Sequence, residues 1–193
     1  MTNKVEKKLS GITRVAGVCG LFIPVVMFAC LGLALASSPW FTWTEHALSD
    51  LGVQNTTAAL FNYGMIAGGT LIFIFSLGLI KILSTKTGAY LLLLSSFALI
   101  GIGVFPETVF VLHFLTSASF FVILTIAFLI IGVTIKQNHF ERSMGLLAFV
   151  FALIAIVSSI LLFQLKGIAL PEALSSFPAF VWCFIVGVKM TLA

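Results

Sequence analysis

Charge is the scarcest thing in this sequence. Asp, Glu, Lys and Arg make up 8% of its 193 residues, against roughly 25% in a soluble domain. With 61% hydrophobic residues and a mean hydropathy of +1.23, that shortage excludes a soluble globular domain and points to a bilayer. Cysteine is scarce as well, and Cys19, Cys30 and Cys183 all lie within apolar runs. Cys19 and Cys30 stand about 16 Å apart along one helix, too far to bridge. No CxxC or metal-ligand spacing occurs, so the three read as small buried hydrophobes. The net charge of +4 does not make a nucleic-acid binder, because the basic residues sit between the apolar runs, where they report topology.

What is present is a series of six apolar runs. Residues 1–13 form a basic tail (Lys4, Lys7, Lys8), expected to be poorly ordered, and residues 14–193 form a single six-helix transmembrane domain. The first span covers Arg14–Ala36. Ala34-Leu35-Ala36 resembles a cleavage site, but the run exceeds the ~7–15 apolar residues of a signal peptide, so a retained helix is expected. The second span runs over Ala58–Ile80, capped from Asn55-Thr56-Thr57. The third, Gly88–Phe105, is short and turns at Pro106. The fourth, Glu107–Ile135, is expected to be the longest and to tilt or project. The fifth covers Ser143–Leu165, and the sixth Pro171–Lys189, with Pro178 marking a kink or break. Each approaches the ~20 residues that cross hydrocarbon.

Six spans put both termini and the Lys81–Thr87 and Lys136–Arg142 loops on one side. That side holds every Lys and Arg except Lys166, so the positive-inside rule places both termini in the cytoplasm. Glu45, Asp50, Glu107 and Glu172 fall on the opposite, outer side. The expected fold is thus an all-α integral membrane protein, its six transmembrane helices arranged as three outward-opening hairpins. A short interfacial helix is expected in the first outer loop, over Ser38–Gly52. There Trp40, Trp43, Ala47, Leu48 and Leu51 share one helical face, and Thr42, Glu45, His46, Ser49 and Asp50 the other.

Ionisable groups at that outer rim are the candidate site. On a helix, His46, Ser49 and Asp50 would share a face, with Asp50 orienting the imidazole as a base near neutrality. The same residues also suit the wet face of an interfacial helix anchored by its tryptophans. Glu107 and Glu172 each follow a proline at a span start, where an acid complements the helix dipole by roughly 0.3–1 kcal/mol. A ligand-binding role, shared with Glu45, is the alternative. His113 lies about 9 Å along the fourth span from Glu107. An ionisable group at that depth faces the bundle interior and is either functional or a neutral hydrogen-bonded histidine. Ser117 lies one turn deeper on its face and joins Glu45, Glu107 and Glu172 as a candidate ligand-binding residue. His46, Asp50 and His113 would suit Zn²⁺ by ligand type, without any spacing signature. His139, beside Glu141, reads as solvated. Asn55 is a glycosylation acceptor or a cap. Gly64, Gly68 and Gly69 read as close-packing positions.

His46-Ala47-Leu48-Ser49-Asp50-Leu51-Gly52, with Leu60-Phe61-Asn62-Tyr63-Gly64 and Gly68-Gly69, resembles family 998 of the domains of unknown function. Gly103-Val104-Phe105-Pro106-Glu107 and His113 extend the likeness over roughly the first two thirds of the chain. The family is archaeal and bacterial and is distantly similar to the Frag1/DRAM/Sfk1 membrane proteins, some of them linked to lipid remodelling or distribution. The resemblance implies six spans and no particular activity. Alkaline ceramidase-like hydrolases also combine Ser, Asp and His, but with seven spans and a three-histidine metal site.

Three functions are expected, in order. The first is a lipid- or amphiphile-modifying enzyme, hydrolase-like and metal-dependent if His46, Asp50 and His113 hold zinc, with His46, Ser49, Asp50 and His113 at its centre and membrane lipids as partners. The second is a non-catalytic lipid-binding or scaffold protein. A transporter or channel comes last, because the middles of the spans carry no Asp, Glu, Lys or Arg to form a relay.

Overall fold

The computed structural model describes residues 2–134 and 139–192, and every regular element in them is helical. The helices are α1 (Thr2–Ala36), α2 (Ala58–Ile82), α3 (Thr87–Val104), α4 (Phe110–Thr134), α5 (His139–Ser158) and α6 (Ala169–Leu192). All six contain a stretch long and apolar enough to cross a membrane. Large apolar side chains such as Phe22, Leu94, Phe114 and Leu146 point outward along them, as helices solvated by hydrocarbon require.

Each helix packs on its sequence neighbours, and α1 packs on α6, so the six close into a ring. Lipid offers no hydrophobic drive between helices, so the seams depend on close approach of small residues. At the α1–α6 seam, a Cβ on Gly17 would stand 2.9 Å from the Gly187 carbonyl oxygen, and one on Gly187 2.7 Å from that of Gly17. Gly64, Gly68 and Gly69 do the same for α2, seated against Cys30, Met27 and Ile100. Across the ring lies Trp182 of α6, 1% exposed. Its ring meets Phe75 of α2 and Phe128 of α4 edge-on, at 6.3 and 5.1 Å. Its indole N–H donates to the Met144 carbonyl of α5 at 2.9 Å. One side chain thereby touches three other helices and satisfies its only polar atom.

Several boundaries differ from the sequence reading. α1 continues back to Thr2, where a disordered tail was expected, because extending an existing helix costs far less than starting one. α1 is therefore longer than α4. α5 stops at Ser158 and tightens into a 3-10 turn over Ser159–Phe163. There the Ser158 and Ser159 hydroxyls bond back to the Ala155 and Ile156 carbonyls at 2.9 and 2.6 Å, which competes with the helical ladder. α6 runs through Pro178. Thr57 does not cap α2 with its side chain; its hydroxyl donates to the Leu51 carbonyl at 2.8 Å. Of the Lys136–Arg142 loop, residues 136–138 lie outside the described residues.

The interfacial helix expected over Ser38–Gly52 does not form. The segment is a series of turns ending in one 3-10 turn, Leu48–Gly52, and that turn is buried rather than laid along a surface. Its backbone is instead tied to the connection between α5 and α6. Gly167 N–H donates to the Thr44 carbonyl at 2.9 Å and Ala169 N–H to that of His46 at 3.0 Å. Gly167 is required here, since a Cβ would run into the backbone of Glu45 and His46. The loops after α1, α3 and α5 thus meet at one end of the ring, called the rim below.

Candidate functional site

Three carboxyl groups, from the first loop, the α3–α4 connection and the start of α6, converge on the 3-10 turn. Asp50 lies within it and accepts from Ala47 N–H at 2.9 Å. Glu172, in the first turn of α6 and 9% exposed, reaches across the rim to accept from Leu48 N–H at 2.6 Å. Glu107, in the short connection ahead of α4, brings its carboxyl beside that of Asp50, where a hydrogen bond between the two needs Glu107 in its protonated form. Burial, reinforced by that bond and by the negative charge of Asp50, pushes the Glu107 carboxyl up to about 7. The dipole role expected for Glu107 and Glu172 is therefore incomplete: both side chains also fasten the first loop.

The histidines part company. His46 Nδ1 accepts from Thr42 N–H at 3.1 Å and lies 3.1 Å from the Thr42 hydroxyl. Its ring stacks on Phe41 at 5.7 Å, with Trp40 edge-on at 5.1 Å. Because no helix forms there, the i,i+4 geometry that would bring Asp50 to this imidazole is missing. His113 is 7% exposed inside α4, with Nδ1 2.8 Å from the Phe105 carbonyl. A carbonyl only accepts, so Nδ1 carries a proton, and in the neutral imidazole Nε2 is the acceptor. The Ser117 hydroxyl, one turn on, lies 3.3 Å from that Nε2. The imidazole caps the end of α3 and at the same time offers a base to a serine.

Among the described residues no three of His, Cys, Asp and Glu are arranged to hold a metal ion. The zinc set expected from His46, Asp50 and His113 is not assembled: His46 Nδ1 and Asp50 are bonded within the first loop, and His113 Nδ1 is turned to the Phe105 carbonyl. Glu45 stays outside the carboxyl cluster, exposed and 3.9 Å from Lys166.

Two cavities open beside the cluster. A small one of about 40 Å³ lies inside the ring against Ser49, Phe61, Ser117 and Glu172, with room for a water or two. A much larger one, about 670 Å³, is a groove between α4, α5 and α6 that opens outward to the surrounding lipid. Its walls are Phe114, Phe121, Val122, Leu129 and Ile156, and its polar groups include Ser117, Ser159, Glu172 and Ser175. Ser117, Phe121 and Glu172 line both. Ser49, Ser117 and Glu172 are thus brought to one cavity system, while His46 and Glu45 lie apart from it.

The profile of the family described as "protein of unknown function (DUF998)" matches residues 21–189. The chain belongs to that family. Comparison with curated proteins and with solved structures yields no match. The matched region of this DUF998 chain takes in all three carboxyls, His113, Ser117 and the walls of both cavities. Sequence reasoning missed Ser159 and Ser175 on the large cavity, and Gly167 at the loop strap. The doublets Ser158-Ser159 and Ser175-Ser176 in otherwise apolar runs were a signal for the first two. Gly167 carried none, because its role depends on a loop more than a hundred residues away.

Proposed function

We propose that this DUF998 protein binds a membrane lipid or similar amphiphile at the extracytoplasmic face, with chemical modification of that amphiphile as the activity its site groups suit. The orientation rests on the distribution of Lys and Arg. The carrying observation is the 670 Å³ cavity between α4, α5 and α6. Its size lies in the range of small-molecule sites, roughly 300–1,000 Å³, and it is apolar along the helices and polar where Ser117 and Glu172 stand. That is the polarity profile of a single hydrocarbon chain with a headgroup. The carboxyl cluster lies next to that polar end and suits a headgroup carrying hydrogen-bond donors or positive charge. Transport of ions is disfavoured by the lack of charged side chains midway along the described spans.

The test is retention of amphiphile by the purified protein. Organic extraction and mass spectrometry of the wild-type protein should recover a chain-bearing lipid in near-stoichiometric amount. Val122→Trp, which fills the cavity wall, should lower that amount at least several-fold without changing elution behaviour. A wild-type preparation that holds no amphiphile beyond the bulk detergent-lipid background would refute the reading.

A further inference from the structure

The carboxyl cluster explains how the rim is held, but it leaves one chemically poised pair unused. Ser117 Oγ stands 3.3 Å from His113 Nε2, within the looser reach that nucleophile–base pairs show before substrate arrives. The imidazole is fixed from behind by the Phe105 carbonyl at 2.8 Å, which holds the tautomer whose Nε2 accepts a proton. His113 is buried and Ser117 half-buried, and Ser117 lines both the inner cavity and the long apolar one. A nucleophile, a base and an orienting acceptor therefore lie in sequence, with the nucleophile facing a space suited to a hydrocarbon chain.

We propose that Ser117 is an acyl acceptor and His113 its general base, so that the protein cleaves a carboxylic ester of a long-chain amphiphile. This rests on the amphiphile-binding reading above and assigns its reaction class. Ser117 Oγ adds to the ester carbonyl carbon while its proton passes to His113 Nε2. The bond between that carbon and the alcohol oxygen breaks, and Nε2 returns the proton to the departing alcohol. Water then adds to the carbonyl of acyl-Ser117 and gives a proton to Nε2. That proton goes to Ser117 Oγ as the carboxylic acid leaves. The alternative for this pair is a helix-internal hydrogen bond that fixes a buried imidazole and has no reactivity.

A long-chain alkyl fluorophosphonate, which phosphonylates an activated hydroxyl with loss of fluoride, separates the two. Full-length protein in detergent is treated with the probe, and the adduct is located by peptide mass spectrometry. In parallel, retention of co-purified lipid is measured on the same samples. The expected result is a single adduct on Ser117, absent in Ser117→Ala, a change that removes one oxygen and leaves the His113–Phe105 bond in place. His113→Gln keeps an N–H that can reach the Phe105 carbonyl but supplies no base. It should retain lipid and slow labelling by about 100-fold or more. Lipid retained with no adduct, or with the adduct on another residue such as Ser49, overturns the acyl-acceptor role and leaves the binding reading standing. Undiminished labelling of His113→Gln overturns the role of the histidine. Loss of both lipid and adduct from wild-type protein sinks the two together.

Discussion

Glu107 and Asp50 show how a single proton can hold two loops. Their carboxyls come from connections that are distant in the chain and lie side by side, so a hydrogen bond joins them only while Glu107 keeps its proton. Because the Glu107 carboxyl lies at about 7 in the fold and 4.5 when free, the folded chain keeps a proton through that window that the unfolded chain has released. Stability contributed by this group therefore falls as pH rises from about 4.5 to 7 and is level above it. Glu107→Gln can still donate to Asp50 but does not titrate. Its thermal unfolding in detergent should vary less between pH 5 and 7 than that of the wild type, with the relative gain greatest near pH 8. An unchanged pH slope would show that the pair does not govern it. At this scale the sequence was partly legible. Asp50, Glu107 and Glu172 were readable as rim groups because acids are so rare here. The partners of His46 and His113 were not, since a threonine amide and a main-chain carbonyl leave no mark in residue identity.

Among the elements, the first rim loop departs furthest from its sequence pattern. Trp40, Trp43, Ala47, Leu48 and Leu51 do recur at helical spacing, but hydrogen bonds from Gly167 and Ala169 and the carboxyl of Glu172 on Leu48 draw the backbone into turns. Local periodicity is a weak preference, and a strap of long-range hydrogen bonds overrides it. The spans were legible for the opposite reason: a run of twenty apolar residues in lipid has no competitor to the helix. Gly167→Ala tests the strap. Its Cβ has no space beside Glu45 and His46, so the first loop should detach. Limited proteolysis between α1 and α2 should then be at least several-fold faster than in the wild type, while the six spans keep their helical circular dichroism. Equal cleavage rates would mean that the carboxyl bonds alone hold the loop.

For the whole molecule, the question is what keeps six lipid-solvated helices in one ring. Trp182 is the clearest single contributor, because it contacts α2, α4 and α5 at once. Trp182→Ala should cost about 3–5 kcal/mol, the range for emptying a large buried aromatic site, and should appear as a lower midpoint of thermal unfolding in detergent. A shift within error would place the cohesion of the ring at the glycine seams instead. Those seams have a further consequence for how the protein is made. Gly17 sits on α1 and Gly187 on α6, so the surface of α1 around Gly17 stays bare until α6 has been made. A nascent chain stalled after α5 carries an unmatched groove of backbone along α1, and the circle stays open until α6 arrives.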